Sequence, residues 1–142
     1  MSTDSSKLAS IKTYMLIAFI FNIIAMIGFM LGGIWYIIAW ATWSGIGYWG
    51  YLAGYATGLI ITGIVLLVFG VLALWIFFTR IRKMYTAANT GDVATLKSLN
   101  NMMWPILALI FAGVLPGIML IISFGPINEL GQAPAPPPPP PT

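Results

Sequence analysis

The chain contains no cysteine and no histidine, and only three acidic and six basic residues in 142 positions. Each shortage excludes something. Without cysteine there is no disulfide and no thiolate nucleophile, and without histidine the commonest metal ligand is also missing. The acids Asp4, Asp92 and Glu129 lie on three separate segments. Paired carboxylates for general acid–base catalysis are therefore not expected. No glycine-rich phosphate loop with its lysine occurs either. The expectation is a chain that is not an enzyme, with no catalytic residue, no cofactor and no metal. Six scattered basic residues also fall short of the broad basic surface that nucleic acid requires.

What is present is apolar. Hydrophobic residues make up 60% of the chain and charged residues 6%, against about 25% charged in soluble proteins. So much apolar surface has no place to hide in a soluble domain of this size, which implies a bilayer. The first hydrophobic segment exceeds the roughly 7–15 apolar residues of a signal peptide and leads into no polar mature domain. It reads as a retained span.

The fold class expected is an all-α integral membrane protein with three transmembrane helices and a short cytoplasmic amphipathic helix. Residues 1–12 form a polar, frayed leader and residues 13–39 the first span. Residues 40–54 form an external aromatic loop, 55–78 the second span and 79–101 a basic connector. Residues 102–124 form the third span and 125–142 a proline-rich tail. Each span exceeds the roughly 20 residues that cross a hydrocarbon core of about 30 Å. Trp35, Tyr36, Trp40, Trp43, Tyr48, Trp49, Tyr51 and Tyr55 crowd one end of the spans, while Tyr14, Trp75, Tyr85 and Trp104 mark the other. Such belts form at headgroup level. A pocket for a lipid or quinone-like ligand is the alternative reading of the crowded end.

The connector organises the topology. It carries Arg80, Arg82, Lys83 and Lys97, and neither residues 13–78 nor residues 102–128 contain any charge. Asn89, Thr90 and Gly91 are a helix stop, and Asp92 is a suitable N-cap for a short helix whose Val93, Leu96 and Leu99 fall at helical spacing. With three spans, every Lys and Arg lies on one side. The positive-inside rule then predicts a multi-pass protein of the plasma (inner) membrane with a cytoplasmic N-terminus and an external C-terminus.

In the third span, Pro105 falls in the first turn and Pro116–Gly117 in the middle. A kink is expected there, with a re-entrant segment as the alternative that would return the tail to the cytoplasmic side. The run from Pro136 to Pro141 favours polyproline II, as a stiff spacer or as a ligand for aromatic grooves.

Small residues recur at four-residue spacing in each span: Gly28 with Gly32, Gly54 with Gly58, and Gly113 with Gly117, with Gly63 and Gly70 a further heptad step. Such faces let helix backbones approach closely within lipid. Asn22 falls near mid-bilayer, where its amide is expected to hydrogen-bond another helix. Arg80, Arg82 and Lys83 are candidates for contact with lipid headgroups.

The run from Phe111 to Gly117 in a last apolar span, followed by a proline tail, resembles small uncharacterised multispan membrane proteins of archaeal type. In some of those a zinc ribbon follows the prolines. With no cysteine here, the resemblance implies no metal site.

The function these features suggest is a non-catalytic accessory or scaffold subunit, associating with other membrane subunits or with itself through its glycine faces. One alternative is a homo-oligomeric channel or carrier for small neutral or apolar solutes, built around Asn22 and the threonines. A recognition role for the proline tail is a further one.

Overall fold

A computed structural model describes residues 3–44 and 53–132. Most of the aromatic loop, with Tyr48, Trp49 and Tyr51, and most of the proline tail lie outside the described residues. Those described are helical, with α1 at Thr3–Ser44, α2 at Ala53–Ile76, α3 at Arg82–Thr90, α4 at Val93–Leu99, α5 at Met103–Phe111 and α6 at Val114–Glu129. A π-helical turn, Phe77–Ile81, joins α2 to α3, so that Gly54–Thr90 is one helical run.

The expected frayed leader is part of α1, which runs 42 residues, or about 63 Å at the helical rise. The reason is an apolar stripe in sequence that looked merely polar. Leu8, Ile11 and Met15 follow at three- and four-residue steps, and Ile11 and Met15 are fully buried in the main core. Thr13 and Ser10 hydroxyls donate to the carbonyls of Ala9 and Ser6 one turn back, which removes them from competition with the helix.

α1 and α2 pack antiparallel over the length of α2. Ring contacts mark the register: Trp43 with Tyr55 at 6.2 Å, Phe29 with Phe69 at 6.0 Å, and Phe19 with Phe77 at 5.0 Å. The π-turn carries both Phe77 and Ile81 into the core. Gly91, at φ 72°, ends α3 in the left-handed conformation glycine tolerates. Asp92 caps α4 by accepting from the Thr95 N–H at 3.0 Å. Stop, cap and short helix stand where the sequence predicts them.

The segment over residues 102–124 differs from the single kinked span expected. Its break is not at Pro116 but at Gly113, whose φ of 107° and ψ of 162° reverse the chain. Pro116 falls in the first turn of α6, where a missing N–H removes no helical hydrogen bond. α6 therefore runs back along α5. The two cross in backbone contact: a Cβ on Gly117 would lie 2.5 Å from Leu109 Cα. At the open end of this hairpin, Asn100 Nδ2 donates to Phe124 O and to Asn128 Oδ1, both at 2.9 Å. Asn101 Oδ1 accepts from the Met103 N–H at 3.0 Å, which starts α5.

The hairpin stands against the N-terminal half of α1. Its tip meets Ala25, 3.8 Å from a Cβ on Gly113, and Phe69, whose ring lies 5.4 Å from Phe111. Its base meets the start of α1, where Lys7 Nζ is 2.7 Å from Glu129 Oε2. The end of α6 thus emerges beside the N-terminus, not at the far end where an external tail was expected. Beyond the tip, α1 and α2 continue as a bare two-helix hairpin with Leu31 and Trp35 63% and 69% exposed.

Candidate functional site

The glycines divide into filled and open positions. A Cβ on Gly33 would come 2.7 Å from Leu67 Cγ and 2.9 Å from Gly63 O, and one on Gly63 would come 3.0 Å from Gly33 O. Gly70 is similarly filled by Met30, at 2.8 Å from its sulfur. These three glycines bring α1 and α2 together. Gly33 was not singled out from the sequence, because it does not share the four-residue spacing; its place beside Gly32 in a glycine doublet is the signal that marks it. Gly32 makes only an ordinary contact, 3.6 Å to Leu66, and Gly28, Gly54 and Gly58 meet nothing within 4 Å among the described residues. Gly113 and Gly117 serve the α5–α6 turn and crossing instead of a span interface.

Asn22 occupies the stripe of α1 formed by Ile11, Met15 and Ala18, all fully buried. It is itself 0% exposed, and neither its amide nitrogen nor its oxygen has a hydrogen-bond partner among the described residues. The expected bond to another helix is absent. Asn22 is one helical turn from Ala25, which places it near the tip of the α5–α6 hairpin. Ser123, the other fully buried polar residue, is satisfied by donating to Met119 O at 2.7 Å and Leu120 O at 3.1 Å.

Three of the four connector cations, Arg80, Arg82 and Lys83, separate into two roles. Arg80 turns inward: its guanidinium lies 4.3 Å from the Trp104 ring centroid, and Nη1 reaches Leu99 O at 3.5 Å. It ties the start of α5 to the π-turn and is half-buried. Arg82 and Lys83 are exposed on α3. They line a groove of about 320 Å³ between α3 and α4, together with Phe78, Thr86, Thr90 and Asp92. Arg82 also lies 5.8 Å from the Phe78 ring centroid.

The acids have local roles. The Thr95 hydroxyl and then the Thr95 N–H hold the Asp92 carboxyl below its ordinary range, so it is ionised at neutral pH. Glu129 pairs with Lys7. No group of three metal-ligating side chains occurs among the described residues. Comparison with known proteins adds nothing to this geometry, since no protein family, curated protein or solved structure matches the chain.

Proposed function

We propose that this chain is an integral membrane protein of the plasma membrane that acts, without catalysis of its own, as an accessory or scaffold subunit. The membrane reading is supported by Asp4–Ser44 and Gly54–Thr90, two helices long and apolar enough to cross, of whose most apolar stretches only 17% and 28% is buried. A core helix of a soluble protein buries most of its surface. With Tyr14 at one interface, Trp35 and Tyr36 lie about 32 Å along α1, and the hairpin tip near Ala25 lies about 16 Å along it. The molecule then has two full spans and a re-entrant hairpin reaching mid-bilayer, in place of three full spans. Non-helical backbone at that depth is tolerated where protein buries it. Here Ala25 of α1 and Phe69 of α2 flank one side of the Gly113 turn, which is half-buried, while Val114 beside it is exposed.

The positive-inside rule puts the N-terminus, the connector and the end of α6 in the cytoplasm, since all the Lys and Arg gather at that end. The C-terminal tail then starts on the cytoplasmic side.

One observation carries the scaffold reading: Gly28, Gly54 and Gly58 face open space while Gly33, Gly63, Gly70 and Gly117 are filled by their own chain. Bare glycine faces on a two-helix segment suit close approach by helices of another subunit. The pore reading needs Asn22 on a shared lumen, and its burial within the single chain counts against that.

The test is purification from native membranes in mild detergent with mass determination of the intact complex. The scaffold reading expects a different protein bound in defined ratio, lost on Gly58→Leu while the helix content of the chain is kept. A symmetric assembly of this chain alone would favour the pore. A monomer would remove both.

A further inference from the structure

We propose that the groove between α3 and α4 binds a phospholipid whose head carries a primary ammonium, a phosphoethanolamine lipid of the cytoplasmic leaflet. This rests on the membrane placement above, though not on the scaffold role. Charge is ordered along the groove. Phe78, exposed, stands at its apolar end. One turn on are Arg82 and Lys83, and at the far end is the Asp92 carboxylate. A phosphoethanolamine lipid presents acyl chain, phosphate and ammonium in that same sequence.

The hydroxyls between the two charges select for the ammonium. Thr86 donates its proton to Arg82 O at 3.0 Å, and Thr90 donates to Thr86 O at 3.1 Å. Their oxygens are left to the groove as acceptors, suited to N–H donors and unsuited to phosphate oxygens. Asp92 is an acceptor as well, held ionised by Thr95. A purely anionic head would set its own charge against this carboxylate. A trimethylated head carries the positive charge but has no N–H to give.

A seat for the chain lies on the same helical run. Ile64, Val68 and Val71 line a second, wholly apolar groove of about 300 Å³ on α2. Ile64, Val71 and Phe78 follow at seven-residue steps, which stay close to one face of a helix. An acyl chain lying along α2 would bring its phosphate past Phe78 to Arg82 and Lys83. The geometry assigns these two cations to the phosphate and Asp92 with the threonines to the ammonium.

The test is native mass spectrometry of the full chain, released from detergent in equimolar phosphoethanolamine, phosphocholine and phosphoglycerol lipids with identical acyl chains. Phosphoethanolamine lipid should be retained roughly fivefold over either competitor, the factor that one charge contact of about 1 kcal/mol contributes at a membrane surface. Lys83→Gln, which removes a contact to the phosphate that all three lipids carry, should lower the total lipid retained by a similar factor and leave the ratio between them unchanged. Asp92→Asn, whose amide still caps α4, should abolish the preference over the phosphoglycerol lipid. Equal retention of the three lipids, a preference that Asp92→Asn does not move, or total retention that Lys83→Gln does not move, overturns the proposal. So does preferred retention of the phosphoglycerol lipid, which would make the groove a plain anion site. A chain recovered without detergent in the soluble fraction would overturn the membrane placement, and this site with it, before any lipid is compared.

Discussion

Lys7 Nζ lies 2.7 Å from Glu129 Oε2, so the start of α1 and the end of α6 meet at one end of the molecule. Between them the chain runs the length of α1, returns along α2 and α3, reverses at Gly91 and through α4 into α5, and turns again at Gly113. Both side chains are partly solvated, and an exposed pair of this kind contributes about 0–1 kcal/mol. Lys7→Gln should therefore shift the unfolding free energy, measured by denaturant titration in detergent, by no more than about 1 kcal/mol. The pair reports proximity more than stability. A zero-length carbodiimide should join Lys7 to Glu129, read by peptide mass spectrometry, and no such product would form if α6 ended at the far side.

The crossing of α5 and α6 depends on having no side chain at Gly117. An added Cβ would meet the Leu109 backbone at 2.5 and 2.6 Å, which a rotamer change does not relieve. Gly117→Ala should cost about 1–3 kcal/mol, the usual range for overpacking. Gly113→Ala should cost a similar amount for another reason, the strain of about 1–3 kcal/mol of an L-residue in a sparsely populated conformation. Gly28→Ala, which meets open space, should leave thermal unfolding of the isolated chain nearly unchanged.

Much of the connector was legible in the sequence because its signals are local. Gly91 ends a helix by its own backbone freedom, and Asp92 caps the next with its own carboxylate. The segment after it was not legible. A glycine and a proline three residues apart permit either a kink or a reversal. The choice is made by contacts distant in sequence: Gly117 against Leu109, and Asn100 reaching Phe124 and Asn128. The glycine spacing likewise showed which faces are small but not what fills them. Gly33, the α1 glycine most closely packed against α2, was hidden beside Gly32. The leader looked frayed because the stripe of Leu8, Ile11 and Met15 has meaning only once α3 and α6 are folded against it.

Asn22 is a polar residue buried without a hydrogen bond among the described residues. An unsatisfied buried amide costs about 1–3 kcal/mol. Asn22→Leu, which replaces it with an apolar side chain of similar size, should raise the unfolding midpoint in detergent. A lowered midpoint would mean that the amide has a partner in the folded protein, and the hairpin tip near Ala25 is where to look for it.

Asp92 should give the connector an acid-sensitive cap. Its folded pKa lies below the ordinary 3.8, so the cap contributes fully above about that value in the unfolded chain and is lost as pH falls through the lower folded pKa. The Thr95 amide resonance should titrate with a midpoint under 3.8, followed by fraying of α4. Asp92→Asn should remove the titration and keep the helix. A Thr95 midpoint above the ordinary value would contradict the hydrogen bonds that Thr95 makes to Asp92.

The measurement that bears most directly on the whole account uses the absence of cysteine. Single substitutions Asn89→Cys, Ser44→Cys and Gln132→Cys each give the chain one thiol, to be labelled in sealed right-side-out and inverted vesicles with a membrane-impermeant maleimide. The re-entrant hairpin predicts that Gln132→Cys labels with Asn89→Cys from the cytoplasmic face, and that Ser44→Cys labels from the opposite face. Labelling of Gln132→Cys together with Ser44→Cys would mean that the last apolar segment crosses the membrane, and the two-span account would be wrong.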